Sequence, residues 1–174
     1  MPPSGYFSKY ITERICIIAN SIYKTRTNYV HVTDIERFKE IIRLCTASEG
    51  ERLHIITRND DNGKQTIGFY VEGDVEGYSL DEDGNIVDPD TNNFDAEGDY
   101  EADYDRFIED IQSVLDPTDA FIITRIGYEK MRWLIGDATI VTRNRVKYIS
   151  LETTAILTTR EMLNAPKWTT EMNY

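Results

Sequence analysis

Cysteine is scarce in this chain, and so are the signatures that usually mark an enzyme or a membrane protein. Only Cys16 and Cys45 occur among 174 residues. They form no CxxC pair and have apolar neighbours, which argues against a disulfide framework and for packed thiols in a reducing compartment. No apolar run approaches the length of a membrane span and no charged segment followed by an apolar one opens the chain, so an intracellular protein with no membrane partner is expected. The chain lacks a Gly-rich phosphate loop, a nucleophile elbow and a His-Glu-x-x-His sequence. Carboxylate pairs are abundant, yet they lie in a stretch of uniform charge with no apolar pocket to raise one pKa above its neighbour. These absences point to a non-enzymatic protein with no catalytic residues, no cofactor and no metal.

Basic residues are nearly missing from one segment, Glu72 to Asp110, which carries sixteen acids against the single base Arg106. The rest holds fifteen acids and eighteen bases. The net charge of −12 therefore belongs to an acidic insert on a slightly basic body.

Two metal readings are set aside. Asp81-x-Asp83-x-Asn85 has the opening of a calcium loop, but Ile86 and Asn92 stand where that loop needs Gly and Glu, and Gly84 sits where a hairpin turn needs it. Cys16, His31, Cys45 and His54 stand singly rather than in the close pairs of structural zinc sites, so packed thiols and ordinary strand histidines are expected.

What is present is enough to fold. Residues Tyr6 to Tyr23 place Phe7, Ile11, Ile15, Ile18 and Ile22 at helical steps, predicting an amphipathic arm over residues 1–24. Asn28 to Val32 reads as a short strand. Thr33-Asp34-Ile35-Glu36 has capping-box form, with Ile35, Phe38, Ile41, Ile42 and Cys45 as the stripe of the helix it starts and Gly50 beyond its end. Leu53–Arg58 and Gln65–Val71 read as a hairpin across Asn59-Asp60-Asp61-Asn62-Gly63, and Tyr78–Leu80 with Asn85–Val87 as a shorter one. A loop runs from Pro89 to about Tyr100, followed by a helix faced by Tyr104, Phe107, Ile108, Ile111, Val114 and Leu115 and stopped by Pro117. Strands at Ala120–Ile126, Met131–Thr142 and Val146–Leu151, a helix over Glu152–Leu163 and a tail over 166–174 complete the chain. The order predicts one α+β domain over 1–174, a mainly antiparallel sheet with helices on one face, distantly ferredoxin-like, with the N-terminal helical arm added.

The acidic insert carries the candidate site. Asp95, Glu97, Asp99, Glu101, Asp103 and Asp105 alternate with other residues, so an extended chain would aim them one way at about 6.6 Å steps. That is roughly half the axial charge density of a nucleic-acid strand, whose phosphates step about 3.4 Å. Glu101, Asp103 and Asp105 also fall in the first turns of the helix expected from near Tyr100, where carboxylates favour its dipole. Tyr100 and Tyr104 offer contact area at low entropic cost, so these eight residues form the expected partner-binding surface. Opposed to it is a basic stripe, Arg143, Arg145 and Lys147, with Arg125, Lys130 and Arg132 nearby; three bases on one strand read as edge protection, and direct nucleic-acid binding is not expected.

Along Ile126-Gly127-Tyr128-Glu129-Lys130-Met131-Arg132-Trp133-Leu134-Ile135-Gly136 and Ala138-Thr139-Ile140-Val141-Thr142, continuing into Trp168–Tyr174, the chain resembles uncharacterised small proteins of bacteriophages and Firmicutes. In size, acidity and lack of motifs it also resembles phage anti-defence proteins, the anti-CRISPR and anti-restriction inhibitors, several of which imitate DNA. That likeness is one of character and transfers no residue. It implies an inhibitor in the bacterial cytoplasm that occupies the nucleic-acid channel of a basic partner such as a Cas nuclease. The competing expectation is a structural, adaptor or toxin-neutralising phage accessory protein whose acidic insert only keeps it soluble.

Overall fold

A computed structural model describes residues 21–91, 100–129 and 133–170. Nine strands and three helices follow in the order β1 (Ser21–Thr27), α1 (Ile35–Leu44), β2 (Cys45–Ala47), β3 (His54–Asn59), β4 (Gln65–Val71), β5 (Val75–Leu80), β6 (Glu101–Asp103), α2 (Tyr104–Val114), β7 (Phe121–Glu129), β8 (Trp133–Thr142), β9 (Arg145–Ser150) and α3 (Leu151–Met162). The α+β class and the mainly antiparallel sheet are as expected.

Six strands form one antiparallel sheet in the order β3-β4-β1-β7-β8-β9. Taken alone, β1-α1-β3-β4-α2-β7 is a β-α-β-β-α-β unit with β1 between β4 and β7 and β3 outside β4, the split βαβ arrangement of ferredoxin-like folds. The hairpin β8-β9 widens that sheet on the β7 side. Between β4 and α2 the chain makes an excursion whose short strands pair with β2 as a second sheet, β2-β5-β6.

The core lies between the larger sheet and the two central helices. Helix α1 buries Phe38, Ile41 and Ile42, and α2 buries Phe107, Ile108, Ile111 and Val114. They meet Ile67, Phe69 and Val71 of β4, Phe121 and Ile123 of β7 and Val141 of β8. A chain of aromatic contacts runs through this layer: Phe38 to Phe121 at 5.7 Å, Phe121 to Phe69 at 5.8 Å, Phe69 to Phe107 at 6.4 Å and Phe107 to Tyr78 at 6.1 Å between ring centroids. Tyr78 belongs to the small sheet, so Phe107 ties the two sheets together.

Several expectations are corrected. Ser21–Thr27 is strand, not the end of a helical arm, because Thr25 and Thr27 are buried while Lys24 and Arg26 are exposed, and β4 and β7 pair on either side. Tertiary pairing overrides local helical spacing there. The arm's residues 1–20 lie outside the described residues. Of Asn28–Val32, only Val30 and Val32 make bridges, to Ile67 and Leu115. Asp34 rather than Thr33 caps α1, its carboxylate accepting from Arg37 N at 2.9 Å, while the Thr33 hydroxyl donates to Val114 O at 3.0 Å. Cys45 leaves the helix to open β2, and Gly50 sits in a 3₁₀ turn over Ser48–Gly50.

The second hairpin forms as a short one: Leu80 bridges Ile86, Val87 N–H donates to Ser79 O at 2.8 Å and Asp81 N–H to Asn85 O at 3.0 Å, around a turn in which Gly84 adopts φ 78°. The other partner of β5 is β6. Gly77 makes that pairing possible: at φ +96° an added Cβ would lie 2.5 Å from Asp103 O. Glu101–Asp103 is accordingly strand, and α2 begins only at Tyr104.

Candidate functional site

The described part of the acidic surface is organised by the junction from β6 to α2. Glu101 and Asp103 stand two apart on a strand paired with Leu80 and Tyr78, which places them on one side. At Asp103 the backbone turns into helix, and the carboxylate accepts from Arg106 N at 2.9 Å, so this acid caps α2. Asp105, two residues on in the first turn of α2, is exposed, as is Glu101. The row of alternating acids thus breaks at Asp103. Tyr104 is half-buried, its ring 5.9 Å from that of Phe107 and its hydroxyl donating to Thr139 Oγ1 at 3.1 Å; burial pushes its phenol up to about 12. Tyr100 is half-buried. Asp95, Glu97 and Asp99 lie outside the described residues.

Much of the remaining insert is fastened to the body by charge. Arg43 of α1 receives both Asp88, through Nη1–Oδ1 at 2.7 Å and Nη2–Oδ2 at 3.0 Å, and Asp90 at 2.7 Å, while its Nε and Nη2 donate to Glu40. Arg52 also reaches Asp90, at 3.1 Å. Lys24 pairs with Glu72 at 2.8 Å, Arg37 with Asp110 at 3.6 Å, and Arg125 with Asp74. The Tyr78 hydroxyl donates to Asp110 at 2.7 Å. Asp81 accepts the backbone N–H groups of Asp83 and Asn85, hydrogen bonds that hold its carboxyl below the usual range and shape a turn. Among the described residues of the insert, Glu76, Asp81, Glu82, Asp83, Glu101, Asp105 and Glu109 make no ion pair, and all seven are exposed.

The histidines and Cys45 have structural surroundings. His31 sits between two carboxylates, Nδ1 3.0 Å from Asp119 and Nε2 3.0 Å from Asp60, and its backbone N–H also donates to Asp119 at 2.8 Å. This knot ties the loops after β1, β3 and α2. Sequence reasoning saw a solitary histidine because its partners lie 29 and 88 positions away. His54 stacks on Tyr70 with ring centroids 5.0 Å apart. Cys45 is fully buried, and burial pushes its thiol well above the ordinary range, away from nucleophilic reactivity. Among the described residues, no group of three or more His, Cys, Asp or Glu side chains is arranged to hold a metal ion.

A cleft of 880 Å³ opens between α3 and the sheet, lined in part by Tyr104, Arg125, Tyr148, Thr153 and Leu157. The Arg125 guanidinium at its floor is neutralised by Asp137 and Asp74. Arg125 is therefore no member of a basic stripe. Arg143 lies in the β8–β9 turn and donates to Leu115 O at 3.1 Å, whereas Arg145 and Lys147 are exposed on edge strand β9. Lys130 and Arg132 lie outside the described residues. No helix among the described residues is long and apolar enough to cross a membrane. No family model, curated protein or solved structure matches the chain.

Proposed function

We propose that the protein acts by binding rather than catalysis, as an anti-CRISPR-like inhibitor of a bacterial nucleic-acid-targeting defence system, its acidic surface occupying the DNA channel of the target nuclease in the host cytoplasm. The observation that carries this reading is the charge of the insert, sixteen acids against one base, with Glu76, Asp81, Glu82, Asp83, Glu101, Asp105 and Glu109 left exposed and without an ion pair among the described residues. Carboxylates held on a folded frame attract the lysines and arginines that otherwise neutralise phosphates, and the contact weakens with salt. A Cas9-type enzyme is the partner class such charge suits, since its channel holds the heteroduplex through backbone contacts rather than sequence. The test is a cleavage assay with wild type and a variant neutralised at Asp95, Glu97, Asp99, Glu101 and Asp105. Inhibition should fall sharply in the variant and, for wild type, as salt rises. Undiminished inhibition by the variant would reject the mimicry.

A structural, adaptor or toxin-neutralising role is favoured by a different observation: Glu72, Asp74, Asp88, Asp90 and Asp110 are engaged by cations of the body, so part of the insert's charge serves attachment. In that case the neutralised variant binds its partner normally.

A further inference from the structure

Strand alternation and register divide the larger sheet into two faces of opposite character. The inward face carries Phe69, Ile123 and Val141 under the helices. On the outward face, one row crosses all six strands, His54, Tyr70, Arg26, Thr124, Ala138 and Ile149, each in register with the next. At about 4.8 Å per strand the row spans about 24 Å, a length that takes several nucleotides.

The charge of this face is opposite to that of the protein. Among the described residues, its outward positions hold Lys24, Arg26, Arg58, Arg145 and Lys147, with the exposed Ile22 and Ile126 between them, and no acid; Glu72, just beyond β4, pairs with Lys24. In a chain of net charge −12 such segregation needs a reason. Aromatic rings are set among the bases. Tyr70 is 43% exposed and stacked on exposed His54, Arg26 is its register partner, and Arg58 lies over the Tyr29 ring at 4.4 Å from its centroid. Arg26, Arg145 and Lys147 make no ion pair among the described residues, and their exposure leaves them open to a ligand's anions.

We propose that this outward face binds single-stranded nucleic acid, with bases stacked on the Tyr70–His54 platform of β3 and β4 and phosphates met by Arg26 on the adjacent strand β1 and by Lys147 farther across the sheet on β9. Stacking rings interleaved with cations on an open antiparallel sheet supply both halves of single-strand recognition. Duplex fits less well, because its bases are not free to stack. Sequence reasoning set this partner aside on the strength of three bases on one strand. The fold gathers bases from β1, β3 and β9 onto one face and removes Arg125 and Arg143 from consideration. The inference is independent of the acidic surface and stands whether or not that surface is an inhibitor's.

The test is fluorescence anisotropy of labelled oligothymidylate and oligouridylate with the full chain over a salt series, against duplex and heparin. Wild type should bind the single strands more tightly than either competitor. Tyr70→Ala should weaken binding by about fivefold or more, the loss of one stacked base, while Tyr70→Phe retains it. Arg26→Gln should lower the slope of log affinity against log salt by about 0.7, one phosphate contact on a single strand. Tyr70 and Arg26 are exposed, and circular dichroism verifies that the variants are folded. Absence of binding at low salt would overturn the proposal. So would binding that Tyr70→Ala and Arg26→Gln leave unchanged, or heparin binding as tight as oligonucleotide binding, which would identify a general polyanion surface.

Discussion

Arg43 and Asp88 meet through two parallel hydrogen bonds, Nη1 to Oδ1 at 2.7 Å and Nη2 to Oδ2 at 3.0 Å, which joins helix α1 to the acidic excursion. The Arg43 guanidinium is the main reason that the carboxyls of Asp88 and Glu40 are held below the usual range. A carboxyl whose pKa falls on folding stabilises the folded state above its unfolded pKa of about 4, and that contribution is lost as pH falls through the folded value. Arg43→Met should therefore lower the urea midpoint at neutral pH, and the gap from wild type should close below about pH 4. Urea titrations over this pH range test it; a gap independent of pH would show that lost packing, not charge, is responsible.

Phe107 is fully buried and touches the rings of Phe69, Tyr78 and Tyr104. Phe107→Ala should cost about 3–5 kcal/mol in equilibrium unfolding, the range for emptying a packed aromatic site. Because its neighbours belong to both sheets, amide exchange should quicken in β5 as well as in β4.

At Gly77 the left-handed backbone and the closeness of Asp103 O act together. Gly77→Ala should cost about 1–3 kcal/mol from backbone strain alone. It should also release β6 from β5, seen as loss of amide protection at Tyr78 and Asp103 with β1 and β7 protected as before.

Burial raises the Tyr104 phenol to about 12 and also pushes that of Tyr78 up, with the Asp110 carboxylate adding to the shift at Tyr78. Raised pKa values stabilise the folded state below the unfolded value of about 10, and the contribution is lost as pH climbs from there through the folded values. Absorbance near 295 nm should show these two tyrosines ionising only as the protein unfolds in alkali. Tyr104→Phe should flatten the fall in stability between about pH 10 and 12.

The elements legible in the sequence are those whose cause is local. The β3–β4 hairpin announces itself in the Asp60–Gly63 turn, and α1 and α2 in the spacing of Phe38, Ile41, Phe107 and Ile111. Strand β1 was misread because Ile22 continues a helical spacing from Ile18, whereas its strand state is imposed by β4 and β7, far along the chain. The small sheet has strands of three residues at β2 and β6, too short for any periodicity. At the candidate site the excess charge was plain, but not its division into fastening pairs and exposed acids. That division depends on Arg37, Arg43, Arg52 and Arg125, each distant in sequence from the acid it meets. The basic face was illegible for the same reason.

Leu80 and Glu101 are direct partners across β5 and β6, so residues 81–100 leave and rejoin the body at adjacent points. Such a stretch is a module inserted at one hairpin and held to the body by Asp88, Asp90 and the half-buried Ile86. A two-residue Asn-Gly turn between Leu80 and Glu101 would close the hairpin, at the cost of freeing Arg43 and Arg52 from Asp88 and Asp90. Variation could rewrite the module's charge, length or partner while the six-stranded sheet and its basic face persisted, so that the two surfaces can follow separate evolutionary histories within one molecule.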